Sequence, residues 1–190
     1  GVEAGRDISL QALREQGFKA FYLAIGAQAG RKLGIEDEEA AGVITGVDFL
    51  RNVNLGEGAS LSGTVLVIGG GNVAIDVARA ATRVGAAKVD MYCLENRREM
   101  PALPEEIEEA IEEGITINNS WGPKRFLTEN GRVTGVEFKR CVSVFDENKR
   151  FNPKYDENET MTVKADFVLT SVGQAIEWGN LIAGSKIELN

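Results

Sequence analysis

The run Thr64–Ile68, TVLVI, passes through Gly69-Gly70-Gly71 directly into an amphipathic stretch that begins at Asn72. No other feature limits the possible folds of this chain so strongly. Five mostly apolar, largely β-branched residues in succession suit a strand buried on both faces of a parallel sheet. Val73, Val77, Ala80, Ala81 and Val84 fall on one stripe of a helix over about 72–84, and Gly85 stands where a left-handed stop belongs. A strand that becomes a helix within three residues must turn sharply, which Gly69 permits. Gly71 has no Cβ, so a pyrophosphate can approach its backbone, and Ala74 is small enough for close helix–strand packing. G-x-G-x-x-A is weak evidence by itself and becomes specific between a strand and a helix. The first N–H groups of that helix, on Asn72 and Val73, would offer donors and a positive dipole end to phosphates, and Asn72 is also placed to cap. Gly69, Gly70, Gly71, Asn72, Val73 and Ala74 are therefore candidate contacts to a dinucleotide.

Further elements extend this unit. Lys88–Leu94 reads as a second strand. Pro104 suits the first turn of a third helix that carries Leu103, Ile107 and Ile111 at i, i+4 and i+8 and ends at Gly114. Ile115–Ile117 begins another strand. The alternation predicts a Rossmann-type parallel sheet flanked by helices. After Trp121 the period changes to two. Arg125–Thr128 and Arg132–Phe138 flank Glu129-Asn130-Gly131, a hairpin signal, and Thr160–Val163 completes a small antiparallel meander. The polar stretch Asp146–Glu159 reads as an exposed loop. Ala165–Val172 returns to a buried-strand pattern that ends at Gly173. Near the start, Ser9–Gln16 reads as a helix, Phe18–Ile25 as an apolar strand ending at Gly26, and Val47–Val53 as a short helix.

The second strand ends Cys93-Leu94-Glu95, followed by Asn96-Arg97-Arg98. Glu95 follows Gly71 at roughly the ~20-residue spacing where an acid accepts bonds from the adenosine ribose 2′-OH. It reads as a ribose clamp favouring NADH, while Arg97 and Arg98 keep a 2′-phosphate, hence NADPH, open; a merely solvated loop is the alternative. The six glutamates between Glu105 and Glu113 read as the solvated face of a surface helix, and Trp121 and Trp178 as packing residues.

Composition narrows the functional classes. A net charge of −8 argues against nucleic acid or an anionic membrane as partner. No apolar run approaches the ~20 residues of a membrane span, and Gly1–Ser9 lacks a signal-peptide pattern. The chain has no histidine, and its two cysteines, Cys93 and Cys141, lack CxxC spacing. A zinc site, a redox dithiol and Ser-His-Asp or Cys-His catalysis are thereby disfavoured, and a reducing cytoplasm is expected.

Residues 64–102 resemble a known group. The run TVLVIGGGNVAIDVARAATRVGA, followed by REMPALPEE at 98–106, is similar to the NAD(P)H-binding domain of the glutamate synthase small-subunit family, within the pyridine-nucleotide-disulfide oxidoreductase-like flavoproteins. GFKAFYLAIGA (17–27) and ADFVLTSVGQ (165–174) resemble that family's two crossover strands between the flavin and nicotinamide domains. The resemblance implies hydride transfer from bound NADH or NADPH to FAD. It places Ser171, Val172 and Gly173 at the domain junction near the nicotinamide and calls for no catalytic side chain. The family's arginine pair after the second strand is replaced here by Leu94-Glu95, which favours NADH. Its flavin fingerprints and cysteine-rich iron–sulfur segment fall outside these residues. FAD is thus expected in a longer protein and not in this piece, with the flavin-binding part and an electron-acceptor subunit or iron–sulfur domain as partners. The expected division is a 1–60 segment from the flavin side, a dinucleotide-binding domain at 61–173 with its meander at about 122–164, and a return segment at 174–190. Two alternatives stay open: a stand-alone NAD(P)-dependent dehydrogenase, for which no Tyr-x-x-x-Lys pair is present, and a non-catalytic nucleotide-binding module.

Overall fold

The computed structural model describes residues 1–58 and 60–188. By packing, the chain forms two units: Gly30–Gln174, and Gly1–Ala29 together with the residues from Ala175 onward. Two-residue strands, β1 (Ala29–Gly30) and β10 (Gln174–Ala175), mark where the chain passes between them.

The larger unit is built on a five-stranded parallel sheet in the order β2 (Val43–Thr45), β9 (Phe167–Thr170), β3 (Thr64–Ile68), β4 (Lys88–Cys93), β5 (Thr116–Asn119). β3 lies at its centre, with Val65 and Val67 facing one way and Leu66 and Ile68 the other. The first pair packs against α2 (Gly46–Leu55), α3 (Asn72–Arg83) and α4 (Pro104–Glu112), through Phe49, Val77, Ala81 and Ile107 among others. Leu66 and Ile68 instead meet an antiparallel meander of β6 (Trp121–Glu129), β7 (Arg132–Phe145) and β8 (Phe151–Lys164). The parallel sheet is therefore covered by helices on one face and by the meander on the other. Both faces need an apolar cover, and the sequence connecting β5 to β9 supplies it as strands. Tyr92 of β4 stacks on Phe138 of β7, with ring centroids 4.2 Å apart, at the centre of that second layer.

The turn chemistry follows the sequence closely. Asn130 (φ 51°) and Gly131 (φ 76°) both occupy the left-handed region, as a two-residue turn between right-twisted strands requires. Gly56, with φ 69°, closes α2, whose N-cap Thr45 accepts from the Asp48 N–H at 3.3 Å.

Several expectations need correction. The segment expected as a loop at Asp146–Glu159 is mostly strand: β8 begins at Phe151, and only residues 146–150 turn, held by the Asp146 carboxylate accepting from the N–H groups of Asn148 and Arg150. Its polarity reflects solvent on both faces, while β7 satisfies its backbone. Residues 18–28 form no strand among the described residues, and Phe18 and Tyr22 are exposed. The short strand β2 was not anticipated, because three residues carry no readable period. The larger unit takes in β2 and α2, which fall within the 1–60 segment expected from the flavin side. On α4 only Ile107 of the expected stripe is buried; Leu103 and Ile111 are exposed, and Ala110 takes the inner face instead.

The smaller unit holds α1 (Leu10–Glu15), whose N-cap Ser9 Oγ accepts from the Ala12 N–H at 3.0 Å. Its two segments meet at Gly5, where a Cβ would lie 2.6 Å from the Leu181 nitrogen.

Candidate functional site

β3, β4 and β9 end side by side, and a cavity of about 770 Å³ opens over those ends, within the larger unit. This is the edge at which open α/β sheets hold ligands, and the volume is that of a typical ligand pocket. The glycines at its floor have different local reasons. Gly69 has φ 145°, and a Cβ there would stand 2.3 Å from the Ser171 carbonyl oxygen and 3.2 Å from Ala74 Cβ. Its freedom is required by the fold, because the end of β9 presses on it. Gly70 lies under Glu95, whose Oε2 would be 2.8 Å from an added Cβ. Gly71 is the N-cap of α3 with an ordinary extended backbone (φ −93°, ψ 175°), and a Cβ there would meet only Pro101 Cγ, at 3.9 Å. Nothing among the described residues demands glycine at position 71; the space beside it is open.

α3 has no side-chain cap. Asn72, expected as a possible cap, is instead the first helical residue, and its Oδ1 accepts from the Leu103 N–H at 2.9 Å, tying the start of α3 to the loop before α4. The Ala74 and Ile75 N–H groups return to the Gly71 carbonyl. The Asn72 and Val73 N–H groups precede them in the first turn, where a helix supplies no acceptor of its own. Ala74 is fully buried, as a residue in close helix–strand contact would be.

At the β4 side, Glu95 lines the cavity, half-buried, and burial raises its carboxyl above the usual range, with the neighbouring Glu99 adding to the rise. Arg97 and Arg98 do not line the cavity; Arg97 is exposed and paired with Glu108 on α4. Cys93 is buried beneath Gly70, and burial together with the charge of Glu95 pushes its thiol up to about 12, so it is held protonated and unreactive.

At the β9 side, Ser171 is wedged between two glycines. Its Oγ is buried without a hydrogen-bond partner among the described residues, and a Cβ on Gly46 at the start of α2 would lie 2.3 Å from it. Gly173 (φ 117°) accepts at its carbonyl from the Arg31 N–H at 3.0 Å, and Arg31 Nε donates to the Gln174 carbonyl at 3.1 Å.

The meander supplies a wall that the sequence reading did not include. Trp121, Lys124, Lys139, Phe151 and Tyr155 all line the cavity. Trp121 also packs into the second core cluster, so its reading as a packing residue is half of its role. Although the chain carries a net charge of −8, the lining holds Arg31, Lys32, Lys124 and Lys139 against the single acid Glu95. These cations come from three separate segments, and only the folded chain gathers them around one space.

Comparison with known proteins gives the family and the fold. Residues 3–190 match the family model described as pyridine nucleotide-disulphide oxidoreductase. The NADPH-Fe(3+) oxidoreductase subunit beta of Geobacter sulfurreducens is 37% identical over 175 residues, covering 90% of this chain and 26% of that protein. The NADP(+)-dependent formate dehydrogenase subunit beta of Moorella thermoacetica is 34% identical, covering 93% of this chain and 25% of that protein. The glutamate synthase [NADPH] small chain of Azospirillum brasilense is 33% identical over 90% of this chain and 38% of its own length. The chain thus spans well under half of these relatives. Among solved structures, FprA of Mycobacterium tuberculosis in complex with NADPH superposes with a TM-score of 0.78 at 20% identity, over 91% of this chain and 54% of FprA. A Lactococcus lactis thioredoxin reductase gives 0.62 at 20% identity, over 83% of this chain and 45% of that one. These likenesses show the same fold. The match of nearly the whole chain to the family model, on a parallel sheet with a glycine turn at its carboxyl edge, makes this chain a member of the pyridine nucleotide-disulphide oxidoreductase family.

Proposed function

We propose that this chain holds a reduced nicotinamide dinucleotide across the carboxyl edge of its sheet and presents it for hydride transfer to FAD, within a longer flavin-dependent oxidoreductase. The observation that carries the reading is Gly71, a helix N-cap in an unstrained conformation with open space beside it. The residues fit the group. The α3 N-terminus and Gly71 would take the pyrophosphate, Gly69 and Gly70 permit its approach, and Glu95 would accept from the adenosine ribose 2′-OH. Ser171 and Gly173 lie at the β9 side, where the nicotinamide would sit. FAD, when present, accepts the two electrons and the hydrogen as a hydride; the residues of this chain bind and orient the donor and supply no proton.

An acid at the ribose position favours NADH over NADPH, though weakly, since cations share the same cavity. We assign FAD to the parts of the protein beyond this chain, and onward electron transfer to an acceptor subunit or iron–sulfur domain. The free, buried Cys93 and Cys141 suit a reducing cytoplasm.

Calorimetric titration of the chain and of Gly71→Val with NADH and NADPH tests the reading. A branched side chain in the open space should weaken both dinucleotides by at least about tenfold, the size of one lost set of charge-assisted bonds. Equal affinity in the two proteins would remove the site from Gly71.

A further inference from the structure

The two arginines that follow β4 in sequence do not line the cavity, whereas a cation from another element, Lys139, does. Lys139 of β7 is cross-strand from Gly122 of β6. A Cβ on Gly122 would lie 2.6 Å from Tyr155 Cε1 and 2.8 Å from Leu94 Cδ2, so Tyr155 of β8 and the residue just before Glu95 pack against the same missing side chain. The Lys139 ammonium sits over the Tyr155 ring, 4.1 Å from its centroid, and donates to Glu157 Oε1 at 2.8 Å. Lys139 is 20% exposed, Glu157 62%. An ammonium has three donors, and this one uses a single exposed carboxylate and the face of a ring.

The other cavity cations differ from Lys139 in partner or in position. Lys124 pairs with Glu137, a largely buried carboxylate it shares with Arg125. Arg31 is spent on the β9 side at Gln174, and Lys32, its neighbour in sequence, pairs with the exposed Glu39 and is set apart by its place beside Arg31.

We propose that Lys139, positioned by Tyr155, is the residue that receives the 2′-phosphate of an adenosine 2′-phosphate dinucleotide, and so sets how far this site accepts NADPH beside NADH. A phosphomonoester brings nearly two charges at neutral pH and three acceptor oxygens, enough to displace the exposed Glu157 from the ammonium. Glu95 opposes that phosphate and Lys139 attracts it, which makes the discrimination between the two dinucleotides small. Tyr155 is a positioning residue and touches the phosphate only through Lys139. The inference rests on the cavity being a dinucleotide site.

The test is titration of the 190-residue chain and its variants with NADH, NADPH, 2′-AMP and 5′-AMP. Lys139→Met keeps the stem and removes the charge. It should weaken NADPH and 2′-AMP by about tenfold or more while NADH and 5′-AMP stay within about twofold. Glu157→Gln removes the internal competitor and should tighten NADPH by a few-fold, about the worth of an exposed ion pair. Tyr155→Phe should keep the NADPH-to-NADH ratio and Tyr155→Leu should lower it, a distinction that a purely structural role for the ring would not produce. The wild-type excess of NADPH affinity over that of Lys139→Met should shrink as salt rises. Equal weakening of NADH and NADPH in Lys139→Met, unchanged NADPH binding, or wild-type binding of NADH alone would each overturn the assignment. Failure of the wild type to bind either dinucleotide would overturn the dinucleotide reading itself, and the NADH arm separates that outcome from the others. Should Lys139→Met not fold, Glu157→Gln, which preserves every buried contact, decides by the sign of its effect.

Discussion

Gly69 and Gly71 stand two residues apart in one motif but in different surroundings, and the separable roles proposed for them can be told apart by stability and binding measurements. In Gly69→Ala, the new Cβ meets a main-chain carbonyl oxygen at 2.3 Å, and the backbone holds φ 145°. A strained backbone region costs about 1–3 kcal/mol and overpacking against a rigid neighbour about 1–3 more. The sum, about 2–6 kcal/mol, is a large part of a typical folding free energy of about 5–15 kcal/mol. In Gly71→Ala, φ −93° and ψ 175° suit any residue, and the nearest atom is 3.9 Å away. Alanine gains about 0.4–1 kcal/mol by restricting the unfolded chain and loses about 0.5–1 kcal/mol as a poorer N-cap, so the net change is within about 1 kcal/mol. Urea unfolding followed by circular dichroism should therefore show the midpoint of Gly69→Ala lowered by about 0.7–3 M, given a slope of ~2–3 kcal/mol per molar, with Gly71→Ala close to wild type. Calorimetry with NADH should show the reverse order of damage in the folded proteins, with Gly71→Ala weakened because its methyl enters the space assigned to the pyrophosphate. If both variants lose stability equally, or if folded Gly71→Ala binds NADH as tightly as wild type, the division of labour between the two glycines is wrong.

Other outcomes follow from the same structure. Phe138→Ala removes a fully buried ring stacked on Tyr92 and should cost about 3–5 kcal/mol in urea unfolding; a loss under ~1 kcal/mol would mean the meander is not part of the core. Glu95 has a raised carboxyl pKa when folded, so the folded chain binds its proton more tightly than the unfolded chain does. That contribution is fully present below the unfolded carboxyl range and is lost as pH rises through the folded value. Glu95→Gln should accordingly raise the Tm at pH 7 and converge on wild type as pH falls through the carboxylate range, whereas a pH-independent offset would dissociate the effect from ionisation. Glu95→Arg should shift binding toward NADPH, and a wild type that already prefers NADPH strongly would remove the clamp role from Glu95. The purified chain should be colourless after incubation with FAD and gel filtration; a yellow protein with stoichiometric flavin would place the flavin site within these residues.

The sequence alone determined the glycine turn between β3 and α3, the parallel strands on either side, and the left-handed turn at Asn130-Gly131. Each depends on backbone needs that a few adjacent residues state for themselves: a missing Cβ, a positive φ, a β-branched run. It also singled out Glu95 as the proposed ribose clamp by its spacing after Gly71, and the structure sets that residue on the cavity wall just past the end of β4. Tertiary structure decided what cannot be local. Residues 151–159 look like a polar loop, and only the ladder to β7 makes them strand. Arg97 and Arg98 adjoin Glu95 in sequence, yet α4 draws Arg97 away to Glu108, while Lys139 and Tyr155 arrive from the far side of a long hairpin. Their meeting depends on antiparallel register, on the bulges that shift it near Lys139 and Cys141, and on the absence of a side chain at Gly122. A single-residue slip in that register would turn Lys139 to the opposite face. The chemistry of the glycine loop is thus written in consecutive residues, and the charge that surrounds it is written in pairings between strands.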